Sequence, residues 1–375
     1  MKRHVLVAGT GRMGLDSGLF FLRRGWRVTW LSGDPGRREE FARRIARELR
    51  RLDGADPGAD DAGEAQVRLL DDPGDLGETG PDLFLEAVRE DLAQKQHVFR
   101  RVVPLLPATS PLASVSSSIL PGEIHPRCLG AHCFFPLDLT RLVEAIIPHQ
   151  AADRVAGALL EIFRDVGLNT IVQSPSNAFA VNRLLLPLQA EAVRALRAGW
   201  PAATVDCASA TPLAPFGQLA LMDAVGLDVI AAAVENYRGR LPPGGAQDYA
   251  ELGDTLQALI ASGKRGKKSR NGFLSGAPLP WAVGARSRED AAELAHDFRA
   301  LAANTCTRAI ASGDIGAESL ELAFSSLFAA TVPLAEERRR CRDDGGFECL
   351  ARLHRITGRS YFLPESRSRA TVAAP

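Results

Sequence analysis

A chain of 375 residues with 46% hydrophobic content is long enough to bury a large core and to divide into two or three domains. Its 45 Lys plus Arg balance 45 Asp plus Glu, which excludes a global field for nucleic acid or an anionic membrane, so an anionic ligand must be met locally. The six cysteines, Cys128, Cys133, Cys207, Cys306, Cys341 and Cys349, contain no CxxC pair, which argues against a metal site or a disulfide framework and for a reducing, cytoplasmic setting.

Met1, Lys2 and Arg3 lead directly into a strand-like run, leaving no room for the apolar region of a signal peptide. No apolar stretch approaches the roughly 18 residues that a membrane span needs. Residues 4–8 (HVLVA) are apolar and β-branched and end at a glycine cluster; a helix-like run continues to Arg24-Gly25, and 27–32 reads as the next strand. The first 32 residues therefore predict a βαβ unit with a parallel strand pair. An arginine-rich helix is expected at 36–51, followed by a flexible surface loop at 52–64, rich in Asp, Gly and Ala. Strand signals resume at 67–70, 83–85, 112–114, 129–134, 142–147 and 168–173, with helices at 91–103 and 151–166.

From about 178 the alternation stops and the chain reads as helices, beginning with an apolar run over 179–199 that Pro187 interrupts. The segment Glu191 to Gly199, an acidic helix and Pro212 resemble Cys306 to Gly313, an acidic helix and Pro333, a weak internal repeat that chance helical similarity also explains. The expected organisation is a dinucleotide-binding α/β Rossmann domain over 1–176, an all-α C-terminal domain over 177–280, a further partial helical repeat over 281–365 and a disordered tail over 366–375.

The Rossmann assignment rests on Gly9-Thr10-Gly11-Arg12-Met13-Gly14, a GxGxxG sequence placed after a strand and opening a helix. The first glycine permits the tight turn, the second lets backbone amides approach a pyrophosphate at the helix N-terminus, and the third lets the helix pack closely. Ser32 occupies the position where NAD-specific sites commonly place a carboxylate; Asp34, Arg37 and Arg38 follow, so both NAD and NADP are open.

Between residues 82 and 184 a series of motifs occurs in one order. They are Asp82-Leu-Phe-Leu-Glu86-Ala87-Val-Arg-Glu90 with Lys95, Ala113-Ser114-Val115-Ser116-Ser117-Ser118, Gly130-Ala131-His132-Cys133-Phe134-Phe135-Pro136 with Leu142-Val143-Glu144, and Phe179-Ala-Val-Asn182-Arg-Leu-Leu. Farther on stand Pro212-Leu-Ala-Pro-Phe216, Gly226-Leu-Asp228 and Gly266-Lys-Lys-Ser-Arg270-Asn-Gly272-Phe273. Oxidising a secondary alcohol requires a group that takes the hydroxyl proton, and a histidine oriented by a carboxylate suits that task.

Together these segments, over about residues 4–275, resemble the 3-hydroxyacyl-CoA dehydrogenase family. The resemblance implies His132 as general base, Glu144 as the carboxylate that orients it, and Ser117 with Asn182 holding the reacting oxygens. It further implies that Gly9, Gly11, Arg12, Met13, Gly14 and Ser32 bind the cofactor and that Ala87, Glu90 and Lys95 border its ribose and nicotinamide side. NAD is the implied cofactor, with NADP the alternative, and a homodimer formed through the helical domain is the implied assembly. The implied substrate is an acyl-CoA thioester. An acyl-carrier-protein thioester, a free hydroxy acid, and a catalytically weak nucleotide-binding protein are the alternatives.

The sequence departs from the family's pattern at Val115 and Phe135, which stand where it has asparagines, and at Ala178 and Arg270, where it has glycines. The stretch beyond about 280 resembles the duplicated helical domains of the multifunctional fatty-acid oxidation proteins. The arginines at 43, 44, 47 and 51 suit either a solvated helix face or the carrier's phosphates.

Overall fold

Eight strands form one sheet in the order β3-β2-β1-β4-β5-β6-β7-β8, and the computed structural model describes residues 2–32, 36, 38–52, 67–77, 80–238, 245–275, 288–328 and 332–365. The strands are β1 His4–Ala8, β2 Arg27–Leu31, β3 Val67–Leu70, β4 Leu83–Glu86, β5 Leu112–Ser114, β6 Cys128–Cys133, β7 Leu142–Ile146 and β8 Asn169–Gln173. Each lies within a residue or two of its sequence expectation. Asp34, Arg37, residues 53–64 of the expected loop and the tail at 366–375 lie outside the described residues.

Neighbouring strands run parallel except β6 and β7, which pair antiparallel. The strands are near-continuous apolar runs because both faces of a largely parallel sheet are covered. In β1, Val5 and Val7 enter one core with Phe20, Trp30, Leu129 and Phe163, whereas Leu6 and Ala8 enter the other with Phe84, Phe99 and Leu112. Each fully buried large side chain contributes about 1.5–3 kcal/mol of transfer free energy. Helices α1 Arg12–Leu22, α2 Arg38–Leu52, α3 Leu92–Val102 and α4 Asp153–Asp165 supply the crossovers.

Contacts divide the chain into two compact units, Met1–Phe179 and Ala180–Pro375. The second unit holds α5 Ala180–Arg197, α6 Ala202–Ser209, α7 Gln218–Val225, α8 Leu227–Arg238, α9 Ala250–Ala261, α10 Arg288–Ala311, α11 Ala317–Phe328, α12 Leu334–Asp343 and α13 Gly346–Thr357. The interruption expected at Pro187 does not occur, and α5 runs through it. Proline there removes one backbone bond and crowds the carbonyl four residues back, a cost that burial of Leu184, Leu186 and Leu188 in the helical unit offsets. Helix α10 buries Leu294, Phe298 and Leu301 and packs on α5, α6, α12 and α13. Among the described residues no helix is long and apolar enough to cross a membrane.

Candidate active site

The glycine turn follows β1. Gly9 has φ +120° and its N–H donates to the Leu31 carbonyl at 3.0 Å, so the turn is tied to the end of β2. A Cβ on Gly9 would lie 2.5 Å from the Ala87 carbonyl oxygen, and one on Gly14 would lie 2.1 Å from the Gly9 carbonyl oxygen. Packing therefore requires both glycines. At Gly11 a Cβ would meet nothing within 4 Å, so its lack of a side chain leaves a face open. Gly11 also caps α1 without a side-chain bond, and the first turn carries no acidic residue. The exposed N–H groups and positive end of α1 thus fit an anionic pyrophosphate.

Around this turn, Met13 is half-buried against the core and Ala87 is 6% exposed. Arg12 is exposed, its guanidinium 5.4 Å from the ring centre of Phe135. Ser32 follows β2, and its N–H donates to the Leu70 carbonyl at 2.8 Å.

Farther along the sheet, His132 on β6 and Glu144 on β7 are directly opposed residues of the antiparallel pair. Opposed residues project to the same face, and His132 Nδ1 lies 2.6 Å from Glu144 Oε2. Both are buried, at 4% and 0% exposure. An ionised carboxylate can only accept, so Nδ1 is the donor of this bond, and in the neutral ring that leaves the lone pair on Nε2. The imidazole also lies 4.4 Å from the Phe134 ring and 5.6 Å, edge-on, from that of Phe179. Phe179 is fully buried at φ +59°, a conformation that a bulky residue adopts only under constraint from its surroundings.

The loop after β5 is organised by Glu90. Its Oε1 accepts from Ser116 Oγ at 2.7 Å, Ser118 Oγ at 2.8 Å, Ser118 N at 2.9 Å, Ser117 N at 3.0 Å and Ser117 Oγ at 3.4 Å. Burial pushes the Glu90 carboxyl up, but the Lys95 ammonium and the bonds from Ser116 and Ser118 outweigh it and hold the group below the usual carboxylate range. Lys95 is fully buried, 3.0 Å from Glu86 Oε1 and 3.3 Å from Glu90 Oε2. Glu86 in turn accepts from Ser114 Oγ at 2.6 Å and from Val88 N at 2.7 Å. Of the residues expected along this side, Ala87 touches the glycine turn, Glu90 and Ser117 meet each other, and Lys95 acts on the loop through Glu90.

Sequence reasoning passed over Glu86, Ser116, Ser118 and Phe179. A carboxylate ending a buried strand, as Glu86 ends β4, was the available signal for the first of them. Phe179 gave none, because its role depends on a backbone angle. A half-buried carboxylate, Asp16, accepts from Leu137 N at 2.8 Å and so fixes the segment after β6 to α1. The groove of about 550 Å³ between Arg38, Arg68 and Asp75 runs along β3 at the sheet edge, on the strand farthest from β6 on that side of the order.

In the second unit, Asn182 stands in the first turn of α5 and its amide donates to Tyr237 Oη at 3.3 Å. The glycine-rich segment ending in Phe273 wraps Asp223, which accepts from Phe273 N at 2.9 Å and Leu274 N at 3.0 Å. Arg270, standing where the resemblance expects glycine, adopts the left-handed region at φ +54°.

An anion-ready glycine turn after β1, with a buried His–carboxylate pair at the far side of the same doubly covered sheet, defines the class of nicotinamide-nucleotide dehydrogenases. Residues 4–175 match the family model described as 3-hydroxyacyl-CoA dehydrogenase, NAD binding domain, and residues 179–276 match that family's C-terminal domain. The chain belongs to the 3-hydroxyacyl-CoA dehydrogenase family, and its first unit is that family's NAD-binding domain. It is 28% identical over 288 residues to a probable 3-hydroxyacyl-CoA dehydrogenase of Caenorhabditis elegans, covering 72% of this chain and 91% of that one.

Among solved structures it resembles FadB2 of M. tuberculosis, with 27% identity, a TM-score of 0.65, and coverage of 74% of this chain and 99% of that one. The fold of a 3-hydroxybutyryl-CoA dehydrogenase from Escherichia coli K12 matches 98% of this chain and 97% of its own, with a TM-score of 0.76 at 19% identity. That last match extends the fold likeness through the helices that follow residue 276.

Proposed function

We propose that this chain catalyses the reversible, NAD-dependent oxidation of a 3-hydroxyacyl-CoA to the 3-oxoacyl-CoA. The buried His132–Glu144 pair on a dinucleotide-binding sheet is the observation that carries the reading. Bound NAD supplies the acceptor for the hydride that leaves carbon 3. His132 Nε2 takes the hydroxyl proton as that hydride departs, and Glu144 stabilises the imidazolium through Nδ1–H. Phe134 and Phe179 keep water from the imidazole, which strengthens its interaction with Glu144.

Ser117 and Asn182 hold the reacting oxygens in this scheme. Glu90 fixes the loop that bears Ser117, and Lys95 holds Glu90, so Lys95 serves the cofactor side at one remove. Gly9, Gly11, Arg12, Met13, Gly14, Ser32 and Ala87 form the nucleotide side. Thioester dependence tests the proposal: with NAD, oxidation of 3-hydroxybutyryl-CoA but not of free 3-hydroxybutyrate is expected. Equal turnover of the free acid would overturn it. A carrier-protein thioester is the second reading, favoured by Val115 and Phe135 at positions where the family has asparagine.

A further inference from the structure

Ser32 stands where NAD-specific sites commonly place a carboxylate, and this inference rests on the dehydrogenase reading above. We propose that the site accepts a 2′-phosphate on the adenosine ribose, with Ser32 and Arg44 as its recognition elements, so that NADP(H) binds beside NAD(H). In a dinucleotide fold the side chain at the end of the second strand faces that ribose. A carboxylate there bonds the 2′-hydroxyl and repels a 2′-phosphate, whereas a nearby arginine accommodates the phosphate.

Here the end of β2 is tied to the glycine turn by the 3.0 Å bond from Gly9 N–H to the Leu31 carbonyl, and the next residue is Ser32, half-buried and neutral. Serine offers a hydroxyl donor and no charge. From α2, Arg44 reaches the same turn, its Nη1 donating to the Thr10 carbonyl at 3.2 Å. Arg44 is half-buried as a residue, and its guanidinium carbon lies 5.9 Å from the Phe41 ring centre.

Among the described residues Arg44 forms no ion pair. Two other arginines of α2 do, Arg38 at 3.0 Å from Asp71 and Arg47 at 3.7 Å from Glu48. A half-buried cation held at the phosphate-binding turn without a carboxylate is complementary to one additional phosphate. The first carboxylates of α2, Glu39 and Glu40, are exposed in its first turn, where they match the helix dipole. A phosphate on adenosine ribose occurs both in NADP, at the 2′ position, and in coenzyme A, at the 3′ position; the neutral residue at the end of β2 favours the nucleotide.

Binding of NADH, NADPH and free coenzyme A to the full chain, read by nicotinamide fluorescence and by calorimetry, tests this without any acyl substrate. The wild type should bind NADPH within about tenfold of NADH, because Ser32 places no carboxylate at the end of β2. Ser32→Asp should move the NADPH-to-NADH ratio against NADPH by about 30-fold, as like charges meet across a short distance. Arg44→Gln should weaken NADPH about tenfold more than NADH, and Arg44→Lys should restore part of that difference.

A wild-type preference for NADH beyond about tenfold overturns the proposal, and a gain in NADPH binding by Asp34→Asn would then name the opposing carboxylate. Equal weakening of both nucleotides by Arg44→Gln, or weakening of coenzyme A alone, also overturns it. Binding of neither nucleotide sinks the dehydrogenase reading as well, whereas tight NADH with excluded NADPH leaves that reading standing.

Discussion

His132 Nδ1 and Glu144 Oε2 meet at 2.6 Å across the antiparallel β6–β7 pair, and both side chains are buried. The pair is positioned by strand register rather than by a loop, so its geometry is as rigid as the sheet. Glu144→Gln keeps the shape and an acceptor oxygen but removes the charge that stabilises the imidazolium. Turnover should fall about 10²- to 10⁴-fold while circular dichroism is unchanged. A loss below about tenfold would mean that Glu144 does not support the base.

The glycine turn separates cofactor binding from folding. Gly11 faces open space, so Gly11→Ala should change unfolding free energy by less than about 1 kcal/mol. On the proposed cofactor site the added methyl would stand where the pyrophosphate approaches, and NADH affinity should fall about tenfold or more. Gly14→Ala has a different outcome, because its Cβ would press on the Gly9 carbonyl. Stability itself should drop there, by about 1–3 kcal/mol. Urea unfolding and NADH titration of both variants check the pair of expectations.

Lys95 is enclosed by two carboxylates, Glu86 and Glu90. Lys95→Met removes the ammonium and leaves buried negative charge, which should destabilise the chain by about 3–5 kcal/mol in urea unfolding. The pH dependence has a definite sign. Glu90 is held below its unfolded range, so its stabilising contribution is complete above about pH 4.3 and is lost as pH falls through the lower folded value. In Lys95→Met that acid-limb slope should flatten; an unchanged slope would remove Lys95 from the account.

His4 gives a second pH signature. Burial, aided by Arg27 and opposed by Asp82, lowers its pKa from 6.5 to about 4, and its Nε2 lies 2.8 Å from Thr29 Oγ1. The unfolded chain takes up this proton below about 6.5 and the folded one only near 4. Stability is therefore fully present above 6.5 and decreases as pH falls toward 4. His4→Gln should remove about 2 kcal/mol of that pH dependence, measured by urea midpoints at neutral and acidic pH.

Much of this structure was legible in the sequence, for reasons that particular residues show. Runs such as Val5–Ala8 and Leu83–Leu85 are apolar throughout because both faces of the sheet are covered, and that density marks strands at each expected place. His132 and Glu144 were expected as a pair from chemistry and family resemblance, and the structure brings them together; their direct opposition follows from an antiparallel register that spacing alone does not specify.

Lys95 was expected to border the cofactor, and nothing in its local sequence marks it as buried, since a lone lysine is usually exposed. Its burial depends on Glu86 and Glu90 arriving from β4 and the following loop. The positive φ of Phe179 and Arg270 and the passage of α5 through Pro187 were also illegible. Tertiary packing overrides local preference at each of those positions.

The central claim is that His132 removes the proton from a 3-hydroxyacyl thioester. The most direct measurement follows absorbance at 340 nm with acetoacetyl-CoA and NADH for the wild type and for His132→Ala, with NADH binding measured in the same samples. The account predicts wild-type turnover that the variant loses by about 10²-fold or more while it still binds NADH. Equal turnover by the two proteins, or none by a wild type that binds NADH, would contradict it.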